Sequence, residues 1–144
     1  MLRLAWQSIR DEIADHVSEA GYGDIRTGHV LVFRYPGPDG LRPSDIGAQL
    51  QLSKQSVNDL LRSLEQSGYL TLEPDPQDGR ARRVRLTERG RRLEKAARNA
   101  ARAAERRIAE TLGPTQLKEL KTMLALLTRR EADLGSEVEA GGGA

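Results

Sequence analysis

The stretch Ser53 to Leu86, SKQSVNDLLRSLEQSGYLTLEPDPQDGRARRVRL, changes its hydrophobic period once, and that change decides the fold. Up to Gln66, apolar residues recur at three- and four-residue steps (Val57, Leu60, Leu61, Leu64), which is one face of a helix, and Gly68 stops it. Ser53 offers an N-cap hydroxyl at its start. From Tyr69 the period is two. Tyr69-Leu70-Thr71-Leu72-Glu73 alternates, Pro74 to Gly79 is a turn, and Arg82-Arg83-Val84-Arg85-Leu86 alternates again. This is a hairpin whose return strand turns Val84 and Leu86 to the core and Arg83 and Arg85 to the other face, with Arg80 just beyond the turn.

Upstream, Pro43-Ser44-Asp45 opens a helix carrying Ile46 and Leu50, with Ser44 as its expected N-cap, and Gln51-Leu52-Ser53 turns tightly into the next helix. The polar face of that second helix holds Lys54, Gln55, Asn58, Asp59 and Arg62. These are hydrogen-bonding groups rather than the Glu/Lys mixture of a merely solvated face. Two helices joined by a short turn and followed at once by a hairpin make a winged helix-turn-helix.

Further out the pattern is helical. Leu2, Trp6, Ile9, Ile13, Val17 and Ala20 form one stripe, ended by Gly21 and Gly23. A short helix with Val30, Leu31 and Phe33 closes at Pro36-Gly37-Pro38-Asp39-Gly40, and Leu41-Arg42 reads as a brief extended piece. After the hairpin, Thr87 caps a long helix to about Leu112 with Leu93, Ala97, Ala100, Ala104 and Ile108 on its stripe. Gly113-Pro114 breaks the chain. Leu117, Leu120, Leu124, Leu127 and Leu134 then approach the spacing of a coiled-coil seam. The expected class is mainly α with a small β-hairpin wing: a winged helix-turn-helix over 25–87, terminal helices over 1–24 and 88–134, and a disordered tail over 135–144.

The composition narrows the function. A chain of 144 residues makes one ordinary domain, and with no Cys it has no disulfide, thiolate metal site or thiol switch. The two His, at 16 and 29, lack metal-ligand spacing, so no metal or cofactor is expected. No run approaches the roughly 18 apolar residues of a membrane span, and the N-terminus has no signal-peptide pattern. A cytoplasmic protein with no membrane partner is expected. The net charge of +2 conceals an asymmetry: Arg80 to Arg107 carries twelve basic residues against Glu88, Glu94 and Glu105, while the remainder is net acidic. A basic block confined to one region points to local contact with a polyanion.

The chain resembles the MarR family of bacterial winged-helix transcription regulators. The resemblance rests on Leu41-Arg42-Pro43-Ser44-Asp45-Ile46, Leu52-Ser53-Lys54-Gln55-Ser56-Val57, Leu64-Glu65-Gln66-Ser67-Gly68-Tyr69-Leu70, the wing Asp75-Pro76-Gln77-Asp78-Gly79-Arg80, and its exit Val84-Arg85-Leu86-Thr87-Glu88-Arg89-Gly90. It covers about residues 25 to 134. It implies a homodimer joined through the terminal helices, for which Ile9, Ile13, Leu117, Leu120, Leu124 and Leu127 are the expected contacts. It also implies a small aromatic effector between the dimerisation helices and the winged domain, where Trp6, His16, Tyr22, His29 and Phe33 are the candidates. Two residues depart from the pattern: Asp59 stands where many members are neutral or basic, and Gly47 replaces the usual Ala.

The expected partner is double-stranded DNA. Amide side chains pair with adenine in the major groove, so Gln55 and Asn58, with Ser56, are the candidate base readers. Ser53, Lys54 and Arg62 are expected on phosphates, which fix register without reading sequence. At the wing, Arg80 is expected in the minor groove, whose narrow stretches attract a guanidinium. Arg82, Arg83 and Arg85 are expected to flank it on phosphates, with one of them free to pair instead with Asp75 or Asp78 and brace the wing. No catalytic constellation or phosphate-binding glycine loop is present in the sequence, so an enzyme is not expected. The rival reading is a winged-helix module that binds protein rather than specific DNA.

Overall fold

The computed structural model describes residues 1–33 and 37–140, with side chains to residue 128. Its elements are α1 (Leu2–Glu19), α2 (Thr27–Val32), α3 (Pro43–Leu50), α4 (Lys54–Gln66), β1 (Leu70–Asp75), β2 (Asp78–Leu86), α5 (Glu88–Leu112) and α6 (Pro114–Ala140). Their order and types are those the changes of period predict, and the architecture is a winged helix-turn-helix. The chain divides into two compact units, Met1–Ala104 and Glu105–Ala144.

The first unit has one core. Val17 from α1, Val30, Val32 and Phe33 from around α2, Ile46 from α3, and Val57, Leu61 and Leu64 from α4 meet Tyr69, Val84, Leu86 and Leu93. Leu61 and Leu64 are fully buried, which stabilises the fold by about 1.5–3 kcal/mol for each side chain. The α5 helix adds only Ala97, Ala100 and Ala104 beyond Leu93, so it lies close to its neighbours. That closeness begins at its first turn: a Cβ on Gly90 would overlap the Tyr69 carbonyl.

Glycine has a similar role between the two motif helices. A Cβ on Gly47 would lie 3.2 Å from Val57 Cγ2. Its absence lets α3 approach α4, against a helix-propensity loss of roughly 1 kcal/mol. The turn itself is closed by Gln51, in the left-handed region at φ 54°, and by the Leu52 N–H donating to the Gly47 carbonyl at 3.0 Å.

Four local readings change. Ser44 is not the cap of α3: Pro43 occupies the first helical position, so Arg42 becomes the N-cap and its N–H donates to Asp45 Oδ2 at 3.1 Å. The expected extended piece at Leu41 forms no strand but is held to β2 by two hydrogen bonds, with Gly40 N–H donating to the Val84 carbonyl at 2.7 Å and Val84 N–H to the Leu41 carbonyl at 2.9 Å. The strands also run further into the expected turn, pairing Pro74 with Arg82 and Asp75 with Asp78, so that only Pro76 and Gln77 lie between the strands. Finally, α6 continues past Gly135 to Ala140; one glycine costs only about 1 kcal/mol, and Glu137, Glu139 and Ala140 favour the helix. The rest of the expected tail, 141–144, and Pro36 of the expected turn lie outside the described residues.

Both terminal helices keep apolar surface in the open. On α1, Ile9 and Ile13 are half-buried, while Leu2, Leu4 and Trp6 are exposed. On α6, Leu117 and Leu120 are half-buried, and Met123, Leu124, Leu126 and Leu127 are exposed. Among the described residues no helix is long and apolar enough to cross a membrane, and no group of His, Cys, Asp or Glu is arranged to hold a metal ion.

Candidate nucleic-acid interface

The α4 helix presents a free polar face on a fixed base. Ser53 caps it, accepting the Ser56 N–H at 3.1 Å, and its hydroxyl donates to Ser56 Oγ at 2.9 Å. An N-cap of this kind contributes about 1 kcal/mol. Lys54, Gln55, Asn58, Asp59 and Arg62 are all exposed, opposite the buried Val57, Leu61 and Leu64. At 3.6 residues per turn, Gln55, Asn58, Asp59 and Arg62 fall within about 100° of helix surface. Among the described residues, the only contact between charged groups on this face is Arg62 Nη1 to Asp59 Oδ1, at 3.9 Å.

The base of the wing is built in the opposite way. Asp75 is 2% exposed and is clamped from three sides: the Gln77 N–H donates to Oδ1 at 2.9 Å, Arg42 Nε donates to Oδ2 at 2.6 Å, and Arg83 Nε stands 3.0 Å from Oδ1. The Gln77 N–H, then the Arg83 and Arg42 guanidiniums, hold its carboxyl down at about 2 against the opposing effect of burial. The Arg83 contact is an ion pair without an aligned hydrogen bond, since its buried Nε has no acceptor. Arg83 is instead anchored through Nη1, which donates to the Gly40 carbonyl at 3.0 Å. Of the three arginines expected on phosphates, Arg83 is thus the one that braces the wing.

The other basic residues of the wing divide by partner. Arg82 Nη1 donates to the Leu72 carbonyl at 3.2 Å, and Arg85 Nε lies 3.6 Å from Glu73. Both remain exposed. Asp78 accepts the Arg80 N–H at 3.1 Å and so shapes the tip, while the Arg80 guanidinium projects with no carboxylate partner among the described residues. Beyond the wing, Arg91 pairs with Asp39 at 3.6 Å and Arg92 with Glu88 at 2.7 Å. Among the described arginines of the wing, Arg82, Arg83 and Arg85 are therefore engaged within the fold, and Arg80 is the exception.

A second cluster ties the end of α4 to the start of α5. Asp24 accepts the Tyr69 hydroxyl at 2.7 Å and Arg89 Nη2 at 3.0 Å; Arg89 Nη1 donates to the Ser67 carbonyl at 2.7 Å, with its guanidinium carbon 4.3 Å from the Tyr69 ring centroid. Thr87 adds a hydrogen bond to the Gly68 carbonyl at 2.7 Å and, as expected, caps α5 by accepting the Gly90 N–H at 3.1 Å. Burial, then the bond to Asp24, pushes the Tyr69 hydroxyl up to about 12. Arg42, Asp24 and Arg89 were not singled out as positioning residues by the sequence. Their partners lie 33, 45 and 65 residues away along the chain, so no local pattern marks them.

The candidate effector residues are spread out. Tyr22 packs on Tyr69 with ring centroids 6.3 Å apart. His29 and Phe33 belong to the buried part of the first unit; Arg26 N–H donates to His29 Nδ1 at 3.2 Å, and burial lowers the His29 pKa. His16 is exposed and bonded to the Glu12 carbonyl at 2.8 Å. Trp6 is exposed too, roughly 15 Å further along α1 by helical rise. None of the five lines the open groove of about 540 Å³ on α6, which is formed by Thr115, Lys118, Glu119, Thr122 and Met123.

Residues 25–81 match the family model described as MarR family. An HTH-type transcriptional repressor of Mycobacterium bovis is 34% identical over 88 residues, covering 61% of this chain and 63% of that protein, and two repressors of Mycobacterium tuberculosis match equally. The match thus spans less than two thirds of the length of those curated relatives. Among solved structures, a Mycobacterium tuberculosis MarR family protein in complex with salicylic acid is 29% identical, with TM-score 0.65 over 88% of this chain and 92% of its own. The transcriptional repressor CouR bound to a 23-mer DNA duplex superposes with TM-score 0.72 at 24% identity, over 88% of this chain and 89% of its own.

Proposed function

We propose that the chain is a MarR-family winged-helix transcription regulator and that it acts as a homodimeric repressor on a pseudo-palindromic DNA operator. The observation that carries this reading is the contrast within the winged helix. The exposed α4 face offers Gln55, Ser56 and Asn58 to base edges and Lys54 and Arg62 to phosphates, while Arg80 projects unpaired from the wing tip. Arg82 and Arg85, exposed and only loosely engaged, flank it. The solved relative bound to a DNA duplex supports the partner, and the repressors among the relatives support the sign of regulation.

Dimerisation is assigned to the terminal helices. The exposed apolar faces of α1 and α6 are each too large for single scattered surface residues, and a second copy would cover them. In domain terms, 25–87 is the DNA-binding region and 1–24 with 88–134 the dimerisation region. A small aromatic acid is the proposed effector, supported by the salicylic acid complex of the relative. Its site would draw on Trp6, His16 and Tyr22 more readily than on His29 and Phe33, which are already packed. The site of action is the cytoplasm.

Titration of fluorescent duplexes across a salt series tests the central claim. Affinity for random DNA should fall linearly with salt on a log-log plot, and footprinting upstream of its own gene should reveal half-sites about 10 base pairs apart. Absence of any shift at low salt would overturn it in favour of a protein-binding module.

A further inference from the structure

We infer that Asp59 determines operator specificity by demanding a cytosine in each half-site; this rests on the DNA-binding reading above. The other acids of the winged domain and its exit all have work within the fold. Asp39 and Asp45 accept the backbone N–H groups of Leu86 and Arg42, Glu65 accepts that of Leu72, and Asp78 accepts that of Arg80. Asp75 is buried between arginines, and Glu73 and Glu88 each face one, Arg85 and Arg92.

Asp59 does none of this. Its side chain is 63% exposed, accepts no hydrogen bond from the described residues, and touches only Arg62, at 3.9 Å. Nor does it border the buried face of α4. Around the helix axis it lies about 40° from Gln55 and about 60° from Arg62, at one edge of the arc they share with Asn58 and nearly opposite the buried Val57, Leu61 and Leu64. A bare carboxylate there serves no purpose in the fold and repels phosphates, so it lowers affinity for DNA in general.

What it can gain depends on the base edge it meets. In the major groove guanine shows two acceptors, and thymine an acceptor and a methyl group; both repel a carboxylate. Adenine offers its N6 amine, but beside the N7 acceptor. Cytosine alone presents an N4 donor with no neighbouring acceptor. Arg62, one turn on, offsets part of the negative charge without occupying the carboxylate, because 3.9 Å is beyond hydrogen-bond length. Asp59 therefore penalises every base except cytosine at its position, which is discrimination by repulsion as well as by contact.

Selection from a randomised duplex pool, run in parallel on the wild-type full chain and on Asp59→Asn, tests this. The wild type should enrich cytosine at one position per half-site by about tenfold, the ratio that a single good base contact yields. In Asp59→Asn that preference should vanish or move to adenine, with the other positions unchanged, and affinity for random duplex should rise by roughly threefold as a repulsive charge is lost. A wild-type motif that Asp59→Asn reproduces unaltered would overturn the assignment of Asp59 alone. A wild type that enriches no sequence would overturn the DNA-reading itself. Because Asp59 is exposed, an unchanged thermal melt is expected for the variant and checks that it folds.

Discussion

The polar face of α4 and the base of the wing are both rich in charge, yet they spend it differently. At the wing base a buried acid is locked between two half-buried arginines, with the Asp75 carboxyl held near 2. On α4 and at the wing tip the polar groups stay exposed and nearly unpaired. Charges used to position the fold are satisfied inside it, where breaking one partner leaves a buried ion exposed to its full desolvation cost. Groups meant for an outside partner must be left unsatisfied, and this distinguishes Arg80 from Arg83 three residues away.

Asp75→Ala should have the largest effect. Losing the common partner of Arg42 and Arg83 should weaken operator binding by more than about tenfold and raise hydrogen exchange in β1 and β2, while α4 amides stay protected; equal loosening of α4 would mean that the wing is not a separate device. Arg80→Ala comes next. Its loss should cost about 1 kcal/mol of binding and reduce the salt slope by roughly 1, at unchanged melting temperature, as measured by anisotropy titration. A drop in melting temperature would instead give Arg80 a structural role.

Acidity separates the two regions in another way. Because the folded Asp75 pKa lies below its unfolded value near 3.9, its contribution to stability is present above that pH and is lost as pH falls towards about 2. Asp75→Asn should flatten the acid limb of a thermal-stability profile in this window. For Tyr69 the sign is reversed: its folded pKa is raised, so its contribution holds below about 10 and fades as pH climbs to about 12. Absorbance titration should show one of the three tyrosines ionising late, and Asp24→Asn should bring it earlier. The smallest effect belongs to Arg106→Ala on distal α5, where operator affinity should change by less than about twofold, because the residue is exposed and belongs to neither the wing nor α4.

Local periodicity carried much of this molecule. The step from 3.6 to 2 at Gly68 marks the end of α4 and the start of β1, because side chains on a helix and on a strand meet a core at those different intervals. Ser53 and Thr87 could be read as caps, because a cap depends on residues within one turn. Ser44 could not be read correctly, since Pro43 shifted the start of α3 by two positions. The exposed face Gln55, Asn58, Asp59 and Arg62 was visible as a pattern, and so was the Arg-rich return strand.

The order of elements, the buried faces of α4 and β2 and the polar set offered outward are legible in the sequence, because they follow from interactions a few residues apart. Which arginines are free is set by packing. Arg42 reaches Asp75 and Arg89 reaches Asp24 across gaps of 33 and 65 residues. A charge looks alike in sequence whether it will meet water, a buried acid or DNA; what separates these fates is burial and distance, which exist only once the chain has packed.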